Sequence, residues 1–386
     1  MQQGGGLARI LLKRHCAEMA QRVVHFLEVV VMKYFARSVL AAALVSAAVA
    51  HAQTAASPTL PGVTIYATGG TIAGASASNT DTTNYKAGSI GVQTLIDAVP
   101  ELKKVARIDG EQIANVGSSD IDSTVLLKLA KAINAKLADP ATQGVVVTHG
   151  TDTLAESAFF IDVTVNSPKP VVFVGAMRPA TAISADGPMN LLNAVTLAAS
   201  KDAMNRGTLI ALNDRFGSAF YTIKTNSTTV DTFKAEEQGF LGTFTSAKPY
   251  FWFSPATPVG KVTFDVSNVT SLPKVVILYA YQDQDAALID AAIKDGAKGI
   301  VIDGSGNGSI NSAVKKRIAE LDKQGFPVVR ATRTNSGLVT AKTEGIGAGV
   351  YSASKSRWLL SLALSTGLSY DCLLYTSDAA DDSLRV

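Results

Sequence analysis

The sequence predicts an α/β protein of the doubly wound kind, with a larger N-terminal sheet flanked by helices and a smaller C-terminal one. Three observations carry this expectation. Short continuous Val/Ile runs alternate with helical periodicities, the pattern of mostly parallel strands covered on both faces. Several of these runs end abruptly in glycine and hydroxyl residues. A proline-rich, helix-free stretch divides the chain into two unequal parts. The composition agrees: of 386 residues, 47% are hydrophobic and 17% charged, enough for more than one packed core.

The elements follow in order. Strands are expected at Val63–Ala67, Val145–Thr148, Val171–Gly175, Thr208–Leu212, Val275–Tyr279, Gly299–Asp303 and Pro327–Ala331. Helical patterns fall between them at Ser123–Lys136, Thr153–Val165, Pro188–Ala199, Ala286–Lys294 and Ser312–Leu321. Lys248 to Pro273 breaks the rhythm with Pro249, Pro255, Pro258 and Pro273 around Phe251-Trp252-Phe253. Residues 59–248 therefore read as the N-terminal domain, 249–273 as a linker and 274–369 as a smaller parallel α/β domain, for which about a hundred residues suffice.

Both ends read as something other than fold. "MKYFARSVLAAALVSAAVAHAQ", from Met32, has a basic start, an Ala-rich apolar run and a small-x-small site that cuts after Ala52. That is a secretory signal peptide, placing the mature protein in the periplasm or outside the cell with no membrane span left. Residues 1–31 are then an upstream leader. "SRWLLSLALSTG" reads as an amphipathic helix that stops early, and residues 370–386 read as a non-native tail.

Residue types narrow the chemistry. The two cysteines, Cys16 and Cys372, lie near the ends, and of the four histidines only His149 lies beyond the signal peptide. A Cys/His metal cluster and a cysteine nucleophile are excluded, so covalent chemistry falls to Ser, Thr, Lys or a carboxylate. The formal net charge is +3 with no basic run in the core, so nucleic acid is not an expected partner.

In open α/β sheets ligands bind beyond the carboxyl ends of the strands, where two hydroxyl clusters stand. "VTIYATGGTIAGAS" ends a strand in Thr68-Gly69-Gly70-Thr71, whose glycines permit a sharp turn that projects Thr71. No lysine or GxGxxG run follows, so a phosphate cradle is disfavoured and a plain turn is the alternative. The next segment, residues 73–89, is small and polar apart from Tyr85, as a lid would be, with a solvated loop the alternative. "GVVVTHGTDTLAES" ends a second strand in His149, Thr151 and Asp152. Asp152 can accept from a ligand ammonium group. His149 invites a Ser–His–Asp triad, but a ring at a strand end as readily satisfies backbone groups. A third strand runs into "GAMRPATAISADGP", read as crevice scaffolding, with Arg178 anchoring loops through carbonyls and Pro188 opening a helix. A hydroxyl nucleophile without histidine needs a lysine base, and Lys201, just after the helix Pro188–Ala199, is the candidate to pair with Thr151 and Asp152.

These segments resemble the bacterial type II L-asparaginase and glutaminase-asparaginase family. "IYATGGTIAG" is similar to its first signature and "VVVTHGTDTL" to its second, and the likeness runs from about Leu60 to Leu364 through "GVQTLIDAVPELKKVA", "GSSDI", "KPVVFVGAMRP", "SADGPMNLLNAV" and "NRGTLIALND". The resemblance implies a two-domain asparaginase-like fold that hydrolyses the side-chain amide of asparagine, and often glutamine, with no metal or organic cofactor. It makes Thr71 the nucleophile, Tyr85 the lid tyrosine, Thr151 and Asp152 the second threonine and the carboxylate for the substrate's amino group, and Lys201, in "AASKDAMNRG", the catalytic lysine. Gly70, Ser118 and Ser119 become substrate contacts. Asp283 and Glu344 would reach in from a neighbour in a homotetramer, a dimer of dimers. An exported amino-acid-binding protein is the competing expectation, and it needs no nucleophile with an attendant base. After Glu344, "GIGAGVYSASKSRW" is several residues shorter than the family pattern, and the tail stands in place of the expected last helix.

Overall fold

The computed structural model describes residues 60–368. The segments expected to be an upstream leader, a signal peptide and a tail, with both cysteines and three of the four histidines, lie outside them. Fourteen strands are described: β1 Gly62–Gly69, β2 Arg107–Val116, β3 Thr142–Thr148, β4 Val171–Val174, β5 Thr208–Leu212, β6 Arg215–Ser218, β7 Ile223–Lys224, β8 Phe233–Lys234, β9 Gly242–Thr245, β10 Lys248–Phe251, β11 Val275–Tyr279, β12 Gly299–Gly304, β13 Val328–Thr332 and β14 Ile346–Gly347.

The large sheet runs β10-β9-β6-β5-β4-β3-β1-β2. Its first five strands are parallel in the order 2-1-3-4-5, and β6, β9 and β10 extend it antiparallel. Strand order reverses between β1 and β3, the switch point where such sheets open a crevice at the carboxyl edge. Alternation along single strands explains the two covered faces. Val145 and Val147 join Tyr66, Phe173 and Ile210 against the helices Ser123–Ala138 and Leu154–Asp162. Val146 joins Ile65, Val172 and Leu209 against the helix Gly187–Ala199 and the short helices Val92–Asp97 and Leu102–Val105. Asp122 starts the helix Ser123–Ala138 by accepting from Val125 N at 2.9 Å.

The smaller sheet, β11-β12-β13-β14, is wholly parallel. Ile300, Ile302 and Val328 face the helices Ala287–Lys294 and Ser312–Asp322, and Val275, Val301 and Val329 pack with Leu360 of the helix Ala353–Ser365. Trp358 and Leu362 of that last helix belong instead to the core of the large sheet, so one helix binds both sheets.

Two expectations need correction. Lys248–Phe251, the start of the expected linker, forms strand β10, where Pro249 is tolerated because the strand is an edge. The strand β2, with its polar, half-exposed pattern, is absent from the sequence reading altogether.

His149 is wholly buried at the end of β3, with its ring 5.9 Å from that of Phe173 and its Nδ1–H donating to Gly150 O at 2.7 Å. Desolvation pushes its pKa down to about 4. It is thus a neutral structural imidazole, the backbone-satisfying role, and no triad forms. The unfolded chain binds a proton near pH 6.5 that the folded chain refuses, so stability falls as pH drops from about 6.5 toward 4. In His149→Gln, urea unfolding should show that the free energy lost between about pH 7.5 and pH 5 shrinks by roughly 2 kcal/mol; an unchanged pH dependence would contradict this assignment.

Candidate active site at the strand carboxyl ends

The carboxyl ends of β1, β2, β3 and β4 converge on two glycine turns. Gly70 N–H donates to Val116 O at 3.0 Å, tying the β1 turn to the end of β2. Gly70 has φ +80, and a Cβ there would lie 2.2 Å from Gly150 Cα, so two backbones meet where only glycine fits. Gly150 is hemmed on its other side by Ser118, whose Oγ would stand 2.9 Å from an added Cβ. Gly175, ending β4, is equally close to His149 O and the Thr151 methyl. Thr68 Oγ1 donates across the strands to Thr148 O at 2.9 Å.

Gly70 and Gly150 are each followed by a threonine. Thr71 opens the single 3₁₀ turn Thr71–Ala73, and Thr151 opens the turn into the helix Leu154–Asp162; both side chains are buried. The Thr71 hydroxyl shares a hydrogen bond of 2.6 Å with the Tyr85 phenol. Tyr85 sits on the loop between Gly74 and Gly88, and its ring lies over Gly74, where a Cβ would come within 2.9 Å of Cδ2. The loop is pinned at its root by Gly88 N–H to Gly70 O and closed on itself by paired bonds between Ala75 and Lys86. The loop thus holds the Tyr85 phenol against Thr71.

The lysine at Thr151 is Lys224. Its Nζ donates to Thr151 Oγ1 at 3.1 Å and to Asp152 Oδ1 at 2.6 Å. The Lys224 side chain is mostly buried, while that of Asp152 is 72% exposed, so Asp152 keeps carboxylate capacity for a ligand in the crevice. Lys201 does not take this place. It stands exposed in the 3₁₀ turn Lys201–Ala203, beyond the helix Gly187–Ala199. A helix that leaves the carboxyl end of one parallel strand delivers the chain to the amino end of the next, so Lys201 is on the far edge of the sheet. The close approach of Ala198 O to Gly144, near the start of β3, shows this. Lys224 instead rides the two-residue strand β7, paired with β8. Strands this short give no periodic signal; the one trace in "FYTIKTNS" is a lysine among apolar and hydroxyl residues.

The remaining expected site residues divide. Ser118 is buried beside Gly150, and its carbonyl accepts from Thr153 Oγ1 at 2.7 Å, locking the β2 end to the second threonine turn. Ser119 is exposed next to it. Asp283 is exposed in the smaller domain with φ 59. Glu344 accepts from Thr343 Oγ1 at 2.7 Å and pairs with Lys315 at 3.4 Å; these two, with Arg330, hold its carboxyl below the usual range. Among the described residues, no hydrogen bond or ion pair joins Asp283 or Glu344 to the threonine turns. Nor is any group of three or more His, Cys, Asp or Glu arranged to hold a metal.

Two buried hydroxyls thus stand on abutting turns, one against a phenol and the other against an ammonium–carboxylate pair. This arrangement suits attack on a carboxamide and anchoring of an amino group.

Comparison with known proteins agrees. Residues 62–256 match the family model "Asparaginase, N-terminal", and residues 274–373 match "Glutaminase/Asparaginase C-terminal domain". L-asparaginase 2 of Bacillus subtilis is 54% identical over 311 residues, which is 79% of this chain and 83% of that protein. A probable periplasmic L-asparaginase of Haemophilus influenzae is 45% identical over 313 residues, 79% of this chain and 89% of its own length. The crystal structure of a probable cytoplasmic L-asparaginase from Campylobacter jejuni superposes with a TM-score of 0.78 at 43% identity, covering 82% of this chain and 98% of that one. On its sequence, its two-sheet fold and its paired threonine turns, the chain belongs to the asparaginase family.

Proposed function

We propose that this protein hydrolyses the side-chain amide of L-asparagine to aspartate and ammonia, with Thr71 as nucleophile. The observation that carries the reading is the Thr71–Tyr85 contact on one glycine turn and the Lys224–Thr151–Asp152 set on the turn that abuts it. Relatives at 45–54% identity bear the name L-asparaginase, which supports the same substrate. An amino-acid-binding protein would need Asp152 but not a hydroxyl hydrogen-bonded to a phenol.

The chemistry follows from the partners. The Thr71 hydroxyl attacks the amide carbon while its proton passes along the 2.6 Å bond to the Tyr85 oxygen, which hands its own phenolic proton to the departing amide nitrogen. Asp152, its Oδ1 held by Lys224, receives the substrate's amino group with its outward oxygen. The Gly70 N–H is engaged by Val116 O, so the backbone N–H groups of Thr71 and Thr151 remain to stabilise the developing oxyanion. The amide nitrogen takes up a proton and leaves as ammonia. Water oriented by Thr151 and Lys224 then opens the Thr71 ester and returns a proton to Thr71.

Glutamine is one methylene longer, a difference worth only about 1–3 kcal/mol in a pocket, so turnover of both amides is expected. The type II, exported assignment rests on the Met32–Ala52 segment, and no helix among the described residues is long and apolar enough to cross a membrane. A homotetramer completed across subunits by Asp283 and Glu344 is what the resemblance to the asparaginase family implies, and light scattering should report four chains per particle.

Ammonia release from asparagine tests the reading. Thr71→Ala should lower the rate by about three orders of magnitude or more, and Lys224→Met by about a hundredfold or more. Lys201→Met, at an exposed site, should stay within about twofold of wild type. Full turnover by Thr71→Ala, or a Lys201→Met defect matching that of Lys224→Met, would contradict the assignment.

A further inference from the structure

The segment after β4, "GAMRPATAISADGP", takes no part in the chemistry above, yet it is elaborately braced. Asp186 accepts from Met177 N and Arg178 N at 3.0 Å each, and from Asn190 Nδ2 at 3.0 Å. Arg178 Nη1 donates to Ser184 O at 3.1 Å. Gly187 lies against Ile72, the residue after Thr71. Bracing at both ends leaves residues 180–183 as a fixed shelf beside the nucleophile.

The lid rests on that shelf. Ala180 N donates to Gly74 O at 3.0 Å, and Ile183 N to Asn79 O at 3.0 Å. Between these backbone rungs, Thr181 Oγ1 accepts from Ser76 N at 2.9 Å and approaches Ser76 O at 3.4 Å. The lid is otherwise bonded to itself: Ala75 pairs with Lys86, Ser76 Oγ donates to Asn84 O, and Asp81 accepts from Thr83 N and Asn84 N. It therefore moves as one preformed loop, and its seat on the body decides where Tyr85 stands. Apart from the local bond of Ser89 Oγ to Lys86 O at 2.8 Å, Thr181 and Tyr85 make the side-chain links between the loop 75–86 and the rest of the described chain.

We propose that residues 180–183 are the dock of the lid and that Thr181 is a positioning residue for the reaction, holding Ser76 so that the Tyr85 phenol stays on the Thr71 hydroxyl. The proposal rests on the catalytic reading of Tyr85 for its kinetic consequence, though not for its structural one. Thr181→Val keeps the shape and removes the hydroxyl, and Thr181→Ser restores it. Both sit on a surface loop, so folding is retained and a thermal melt checks it.

Two readouts are taken on each variant: kcat/KM for asparagine, and the rate of tryptic cleavage after Lys86, which the closed lid protects. Thr181→Val should lower kcat/KM about fivefold and raise cleavage by about the same factor, the change expected from one hydrogen bond. Thr181→Ser should stay near wild type in both. Wild-type cleavage by Thr181→Val, with or without slowed turnover, overturns the dock. So does Thr181→Ser behaving like Thr181→Val, which would mark a packing role alone. Cleavage reads lid closure without reference to chemistry, so a failure of the nucleophile assignment, shown by Thr71→Ala, is distinguishable from a failure of the dock.

Discussion

The backbone of Gly70 lies against the backbone of Gly150, and the rest of the site depends on that contact. A Cβ on Gly70 would collide with the Gly150 backbone, a Cβ on Gly150 would collide with Ser118 and crowd Gly70, and Gly70 occupies a positive φ that other residues avoid. With no side chains between them, the turns ending β1 and β3 approach closely enough for Thr71 and Thr151 to address one small ligand. Ser118 closes the arrangement from the third side, so the ends of β1, β2 and β3 form a rigid floor rather than three independent loops.

The rigidity has its source in the sheet. Parallel strands filled with Val on both faces leave no freedom to slide, because a one-residue slip would exchange the faces that two separate cores bury. The buried neutral ring of His149 and the Thr68–Thr148 bond tie β1, β3 and β4 together just beneath the turns. The loop that supplies the phenol is seated on a shelf braced by Asp186. Floor and cover are thus built from different strand ends of one sheet.

How much of this could be read from the sequence depended on the kind of signal each part leaves. Buried parallel strands such as Val145–Thr148 announce themselves as apolar runs, and the residues ending them point to the crevice by position alone. Thr71, Thr151 and Asp152 were picked out for that reason and Tyr85 as the one aromatic side chain of a small, polar segment, and the structure places Tyr85 on Thr71 and Lys224 on Thr151 and Asp152. The strand β2 was not, because "RIDGEQIANV" lies at the sheet edge with most of its side chains at least partly exposed. The antiparallel extension through β6, β9 and β10 was missed because four-residue strands leave too little periodicity. Lys201 was singled out because a lysine after a helix is easy to see, and Lys224 was missed because tertiary packing alone brings the β7–β8 hairpin to Thr151. The last helix was recognised as amphipathic, but its service to two cores became visible only with both sheets in place.

The most direct test of the account is to trap the covalent intermediate. Enzyme mixed with asparagine, quenched in acid within one turnover and digested, is analysed by peptide mass spectrometry. The account predicts an aspartyl ester on the peptide that carries Thr71, and on Thr71 itself after fragmentation. An ester on Thr151, with Thr71 unmodified, would contradict it.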